Sequence, residues 1–91
     1  MSQNASKCEL IKRIARYLRI NPLASDTREG IARWWVAADG VDLAILDEAL
    51  AWLVADGVVE SVNAADGRVR YRRVTPSALN DARLDELAGA P

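Results

Sequence analysis

Apolar side chains recur along this chain first with the spacing of helices and then with that of strands. Leu10, Ile11, Ile14 and Leu18 share one face of a helix turning about 100° per residue, while Lys12, Arg13, Arg16 and Arg19 project elsewhere. Ser6 followed by Glu9 is a capping box, in which each side chain satisfies a backbone N–H of the other's turn. Pro22 disfavours helical geometry at Asn21, so this first helix is predicted to end near Ile20. Asp26 is placed to cap a second helix, with Glu29 in its first turn and Ile31, Trp34 and Trp35 along one side. That helix is expected to reach Val36 or Ala37, before a turn at Asp39-Gly40.

Asp42 then caps the longest periodic stretch, residues 43–55, with Leu43, Leu46, Ala49, Leu50, Leu53 and Val54 as its inner stripe. Gly57 supplies the left-handed residue that ends it. The period then changes. Val58, Val59 and Val62 are β-branched, Val69 and Tyr71 alternate with Arg68, Arg70 and Arg72, and residues 63–67 between them have turn composition. This is a β-hairpin with a basic second strand. Thr75-Pro76 reads as a cap with proline at the first helical position, opening a last short helix through Leu79, Leu84 and Leu87.

Composition removes most chemistry. The chain of 91 residues has no histidine and one cysteine, so imidazole metal sites, Ser-His-Asp triads and internal disulfides are absent. Its five glycines are isolated, so there is no glycine-rich phosphate loop. No catalytic residue, metal, cofactor or small-molecule substrate is expected. The apolar runs are too short for a membrane helix and the N-terminus carries no apolar signal segment, so the expected setting is the cytoplasm. Abundant Ala, Arg, Asp and Val without Phe or His suggest a GC-rich bacterial genome.

Three helices followed by a hairpin resemble the winged helix-turn-helix family. The residues that carry the resemblance are 27–32 (TREGIA), residues 50–60 (LAWLVADGVVE), which are similar to the passage from recognition helix into wing, and residues 67–71 (GRVRY), similar to the wing's return strand. The implied fold is mainly α with a small β-hairpin: a three-helix bundle and a two-stranded wing, with an added C-terminal helix. Residues 1–5 are expected to be disordered, 6–75 to form the winged-helix domain, and 76–91 to form the short helix and a frayed tail.

In DNA-binding members of such a family the third helix reads base edges with cationic and amide side chains. Here residues 42–57 contain Asp42, Asp47, Glu48 and Asp56 and not one Lys or Arg, which sets acid against phosphate. The same helix carries Ile45 and Trp52 off its inner stripe, with Ala44, Glu48, Ala51 and Ala55 on its back. Such a face suits another protein surface. The leading expectation is therefore a non-enzymatic interaction module that self-associates, as a homodimer, or docks onto a protein partner. Its interface candidates are Ile45, Glu48, Ala51, Trp52, Leu84 and Leu87, with Trp52 as anchor; packing of Trp52 under the wing or against the last helix is the competing reading. The alternative function is a small DNA-binding transcriptional regulator gripping phosphates through the wing (Arg68, Arg70, Arg72, Arg73) and the first helix (Lys12, Arg13, Arg16, Arg19). For these cations a solvated helix face and a charge-blunted edge strand compete with that role. Of the adjacent Trp34 and Trp35, about 100° apart on a helix, only one can point into the core.

Overall fold

The computed structural model describes residues 6–36 and 40–89. The expected N-terminal disorder at 1–5, the last residues of the tail, Ala37 and Asp39 lie outside the described residues. Helix α1 (Lys7–Ile20) starts at Ser6, whose hydroxyl accepts from the Glu9 N–H, and buries Leu10, Ile11, Ile14, Ala15 and Leu18. A two-residue strand, β1 (Ser25–Asp26), leads into α2 (Arg28–Gly30), which continues as a π-helical turn (Ile31–Trp35). Helix α3 (Leu43–Asp56) is capped by the Asp42 carboxylate, which accepts from the Ala44 and Ile45 N–H groups. It ends at Gly57, whose φ of 92° only glycine adopts without strain. Strands β2 (Val59–Asn63) and β3 (Val69–Arg73) form the hairpin, and α4 (Ala78–Leu87) follows.

The chain is thus mainly helical, with four helices among the described residues and a small antiparallel sheet. That sheet has three strands and not two, in the order β1-β3-β2. Ser25 pairs with Arg72 and Asp26 with Tyr71, while Glu60 pairs with Arg72 and Ser61 with Tyr71 across the hairpin. Pairing of β1 with β3 sets Asp26 in a strand and away from the capping role expected of it. Thr27 caps α2 instead, its Oγ1 accepting from the Gly30 N–H. The Asp26 carboxylate accepts from the Thr27 N–H and occupies the space where a Cβ at Gly30 would sit. At the far end Ser77, not Thr75, caps α4 by accepting from the Asn80 N–H.

One core joins α1, the π-helical turn, α3, the hairpin and α4. Leu10, Ile14 and Leu18 of α1 meet Ile31 and Trp35, Leu46, Leu50 and Leu53 of α3, Val58 and Val59, and Leu84 of α4. Each large aliphatic side chain buried there contributes about 1.5–3 kcal/mol before entropy is counted. The inner stripe of α3 is narrower than its apolar pattern: Leu43 and Val54 are partly exposed, and the helix turns only Leu46, Ala49, Leu50 and Leu53 fully inward. Leu79 is 86% exposed, so α4 is held by Leu84 and not by its first leucine. No helix among the described residues is long and apolar enough to cross a membrane.

The π-helical turn closes with the Val36 N–H donating to the Ile31 carbonyl, 3.1 Å away and five residues back. Trp35 is the inward tryptophan, its ring stacked on that of Tyr17 with centroids 5.0 Å apart and planes 11° from parallel. Trp34 points out and is 65% exposed, with the Arg33 guanidinium 5.9 Å from its ring centroid.

Candidate interaction surfaces

The residues expected to form one interface divide by burial. Leu84 is fully buried in the core, so α4 spends it on the fold and it cannot contact a partner. Ile45, Trp52 and Leu87 are half-buried and packed against the core. Trp52 is further covered by Arg83 of α4, whose guanidinium carbon lies 5.9 Å from the ring centroid. Arg83 is itself fixed by a bidentate pair with Asp56 at the end of α3, at 2.9 and 2.6 Å. The ring is therefore half-covered, packed against the core with Arg83 of the last helix beside it. Of the six, Glu48 and Ala51 are the two that stand exposed on the outer face of α3, alongside Ala44 and Ala55.

The basic residues divide in the same way. Arg73, expected on the wing surface, is 4% exposed; its Nε donates to Asn80 Oδ1 and its Nη2 to Asp81 Oδ1 in the first turn of α4. Strand alternation is the reason, because Arg73 shares a face with Tyr71, and that face turns towards the core at the base of the hairpin. Arg72 is paired with Glu60 at 2.6 Å, Arg13 with Glu9 at 3.0 Å, and Arg19 with Asp85 at 3.0 Å. Arg70 donates to the Ser25 carbonyl at 3.3 Å. Lys12, Arg16 and Arg68 remain exposed and make no ion pair among the described residues.

Several carboxylates are held firmly ionised. The hydrogen bond from Arg83 lowers the pKa of Asp56, and that from Arg73 lowers the pKa of Asp81. At the start of α2, Arg28 donates to Glu29 and, at 2.8 Å, to Asp47 of α3, which lowers the Glu29 pKa and raises that of Arg28. Among the described residues no group of three or more His, Cys, Asp or Glu is placed to hold a metal ion.

Two grooves run beside this Arg28–Asp47 bridge. One, of about 500 Å³, lies between the start of α2 and the tip half of β3, with Arg28, Glu29 and Arg68 on its walls. The other, of about 410 Å³, lies between α3 and the hairpin and is lined by Ala51, Val54, Ala55 and Ser61. Asp47, Val69 and Tyr71 border both, so the two form one trough across the outer side of α3. Val54 is 37% and Val69 42% exposed there. Pattern reading missed both, placing Val54 in the core and leaving Val69 unassigned. The available signal was that Val54 sits one position beyond Leu53, at the margin of the stripe, and that Val69 lies beside the hairpin tip, beyond the reach of the core.

Against known proteins the comparisons return nothing: no family model matches the chain, nor does any curated protein or solved structure.

Proposed function

We propose that the chain is a non-enzymatic interaction module of the winged helix-turn-helix kind, and that it pairs with a second copy of itself through the trough between α3 and β3. Support for the winged-helix reading is the order of elements, three helices and then a hairpin, with α4 added behind. The observation that carries the pairing is the trough itself. It exposes Val54, Val69, Ala51 and Ala55 side by side, the apolar surface that marks contact sites when it is contiguous. Its rim carries both charges, Arg28 and Arg68 against Glu29 and Asp47. A two-fold interface brings the same patch of both subunits together, so a patch of one sign would repel itself, whereas a balanced one is self-complementary.

Two features favour a protein over DNA as partner. Helix α3 presents Asp47 and Glu48 and no cation, and four of the eight arginines and lysines available for phosphates are spent on ion pairs within the chain. A non-enzymatic role fits the carboxylates. A general acid or base works best with a pKa near the operating pH, and the arginine partners of Glu29, Asp56 and Asp81 move theirs the other way. The lone exposed thiol of Cys8 goes with a reducing compartment such as the cytoplasm.

Dilution calorimetry tests the pairing. Injecting concentrated parent protein into buffer should give a heat of dissociation, and Val54→Asp, which replaces an apolar side chain of the trough by a charged one, should abolish it. Equal heats from both proteins would remove the trough from the interface. Mobility shift on mixed DNA with a salt titration tests the alternative, because every phosphate neutralised steepens the fall of log K with log salt.

A further inference from the structure

We infer that the groove between α1 and the π-helical turn is a second docking site, and that its occupant is an acidic segment of another protein carrying a bulky apolar side chain. The groove has a volume of about 430 Å³ and is lined chiefly by Arg13, Arg16, Tyr17, Ile20, Trp35 and Val36. Its floor is apolar and rigid, because the stacked Tyr17 and Trp35 rings fix each other and Val36 is buried. Its polar side is cationic. Arg13 is held in place by Glu9 at 3.0 Å and by the Val36 carbonyl at 3.2 Å. Arg16 is exposed and makes no ion pair among the described residues. Among the described residues Glu9 is the one carboxylate on the lining and is taken by Arg13, which leaves Arg16 as the unpaired charge of that lining.

An exposed hydrophobe stands on its rim: Ile20 is 72% exposed. Trp, Tyr and Arg are the residue types that dominate interface energetics, and here four of them converge from two elements. Charge complementarity selects the occupant. The unpaired Arg16 guanidinium beside an apolar floor matches a carboxylate next to an aliphatic or aromatic side chain. Nucleic acid fits less well, because one unpaired guanidinium is not a row of cations along which a phosphate backbone could run. A second copy offering its acidic α3 to this groove would join heterologous surfaces, which build open chains of molecules and not a closed dimer. This inference stands apart from self-pairing through the trough, which lies on other elements, and each can fail without the other.

The test is selection of a random peptide library on the immobilised full chain, followed by affinity measurement on the recovered peptides. The expected peptides combine two or more Asp or Glu with a bulky apolar residue. Arg16→Glu and Ile20→Ala, both at exposed positions that leave the core intact, should each weaken their binding by about tenfold or more. Val54→Asp should leave it unchanged. The inference is overturned if recovered peptides show no acidic bias, or if they bind both variants as they bind the parent. It is equally overturned if a single-stranded oligonucleotide displaces them at lower concentration than free acidic peptide does, or if the groove titrates with the chain's own polymerisation.

Discussion

Arg73 at the end of β3 and Asn80 in the first turn of α4 are both buried, and the guanidinium of one donates to the side-chain carbonyl of the other. The second nitrogen of the same guanidinium reaches Asp81, and Arg19 of α1 lies 3.8 Å from the same Asp81 oxygen. The Asp81 carboxylate thus ties Arg19 of the first helix to the Arg73 cation, which itself joins sheet and last helix.

Removing that cation should be costly. Arg73→Ala leaves the buried Asn80 carbonyl without its donor, and an unmade buried hydrogen bond costs about 1–3 kcal/mol. Arg68→Ala, at an exposed position on the same hairpin, should stay within about 0.5 kcal/mol of the parent. Urea melts of the two variants check this, and equal midpoints would mean that Arg73 is solvated like its neighbours.

Leucines of equal chemistry should differ by position. Leu50→Ala, Leu53→Ala and Leu84→Ala each leave a cavity in the core and should cost roughly 2–5 kcal/mol. Leu79→Ala, one turn earlier in α4 than Leu84 and almost wholly exposed, should change stability by no more than about 0.5 kcal/mol. Thermal unfolding gives the comparison directly; a destabilised Leu79 variant would show that α4 docks in another register.

Trp52 separates folding from association. Because it packs against the core beneath Arg83, Trp52→Ala should lower stability by about 2 kcal/mol, less than the ~3–5 kcal/mol of a fully buried ring. Self-association should persist in this variant. A stable Trp52 variant that no longer associates would restore the ring as an interface anchor.

Acid should weaken the fold through the arginine-bound aspartates. Asp56 and Asp81 have folded-state pKa values below their unfolded ones, near 3.9. Their contribution is therefore fully present above about pH 4 and is lost as pH falls through the lowered values. Asp56→Asn removes one of these titrations, so its stability should fall less steeply than the parent's over that acid range. Parallel pH profiles would contradict the assignment.

Much of this architecture was legible in local chemistry. The Ser6, Asp42 and Gly57 caps and the leucine spacing of α1 and α3 mark both long helices nearly to the residue, because each end is decided by its own side chains. Strand β1 was not legible. Ser25 and Asp26 have no strand pattern of their own and become extended only through pairing with Arg72 and Tyr71, far along the chain. The interface candidates were read from helix projection, which tells which residues leave the inner stripe but not what else covers them. Trp52 and Leu87 leave the stripe or the tail and are covered by tertiary packing, while Val54 sits at the margin and is not. Arg73 was legible in principle: alternation with Tyr71 puts it on the inward face, and the density of arginine around it hid that.

Whether copies of the chain meet at the trough between α3 and β3 is read residue by residue from backbone amide chemical shifts recorded by NMR over a dilution series. Concentration-dependent shifts are expected at Asp47, Ala51, Val54, Ala55 and Val69, with Arg16, Trp34 and Trp35 unmoved. Shifts that do not change with concentration, or that change around Trp34 and not at Val54 and Val69, would contradict that pairing.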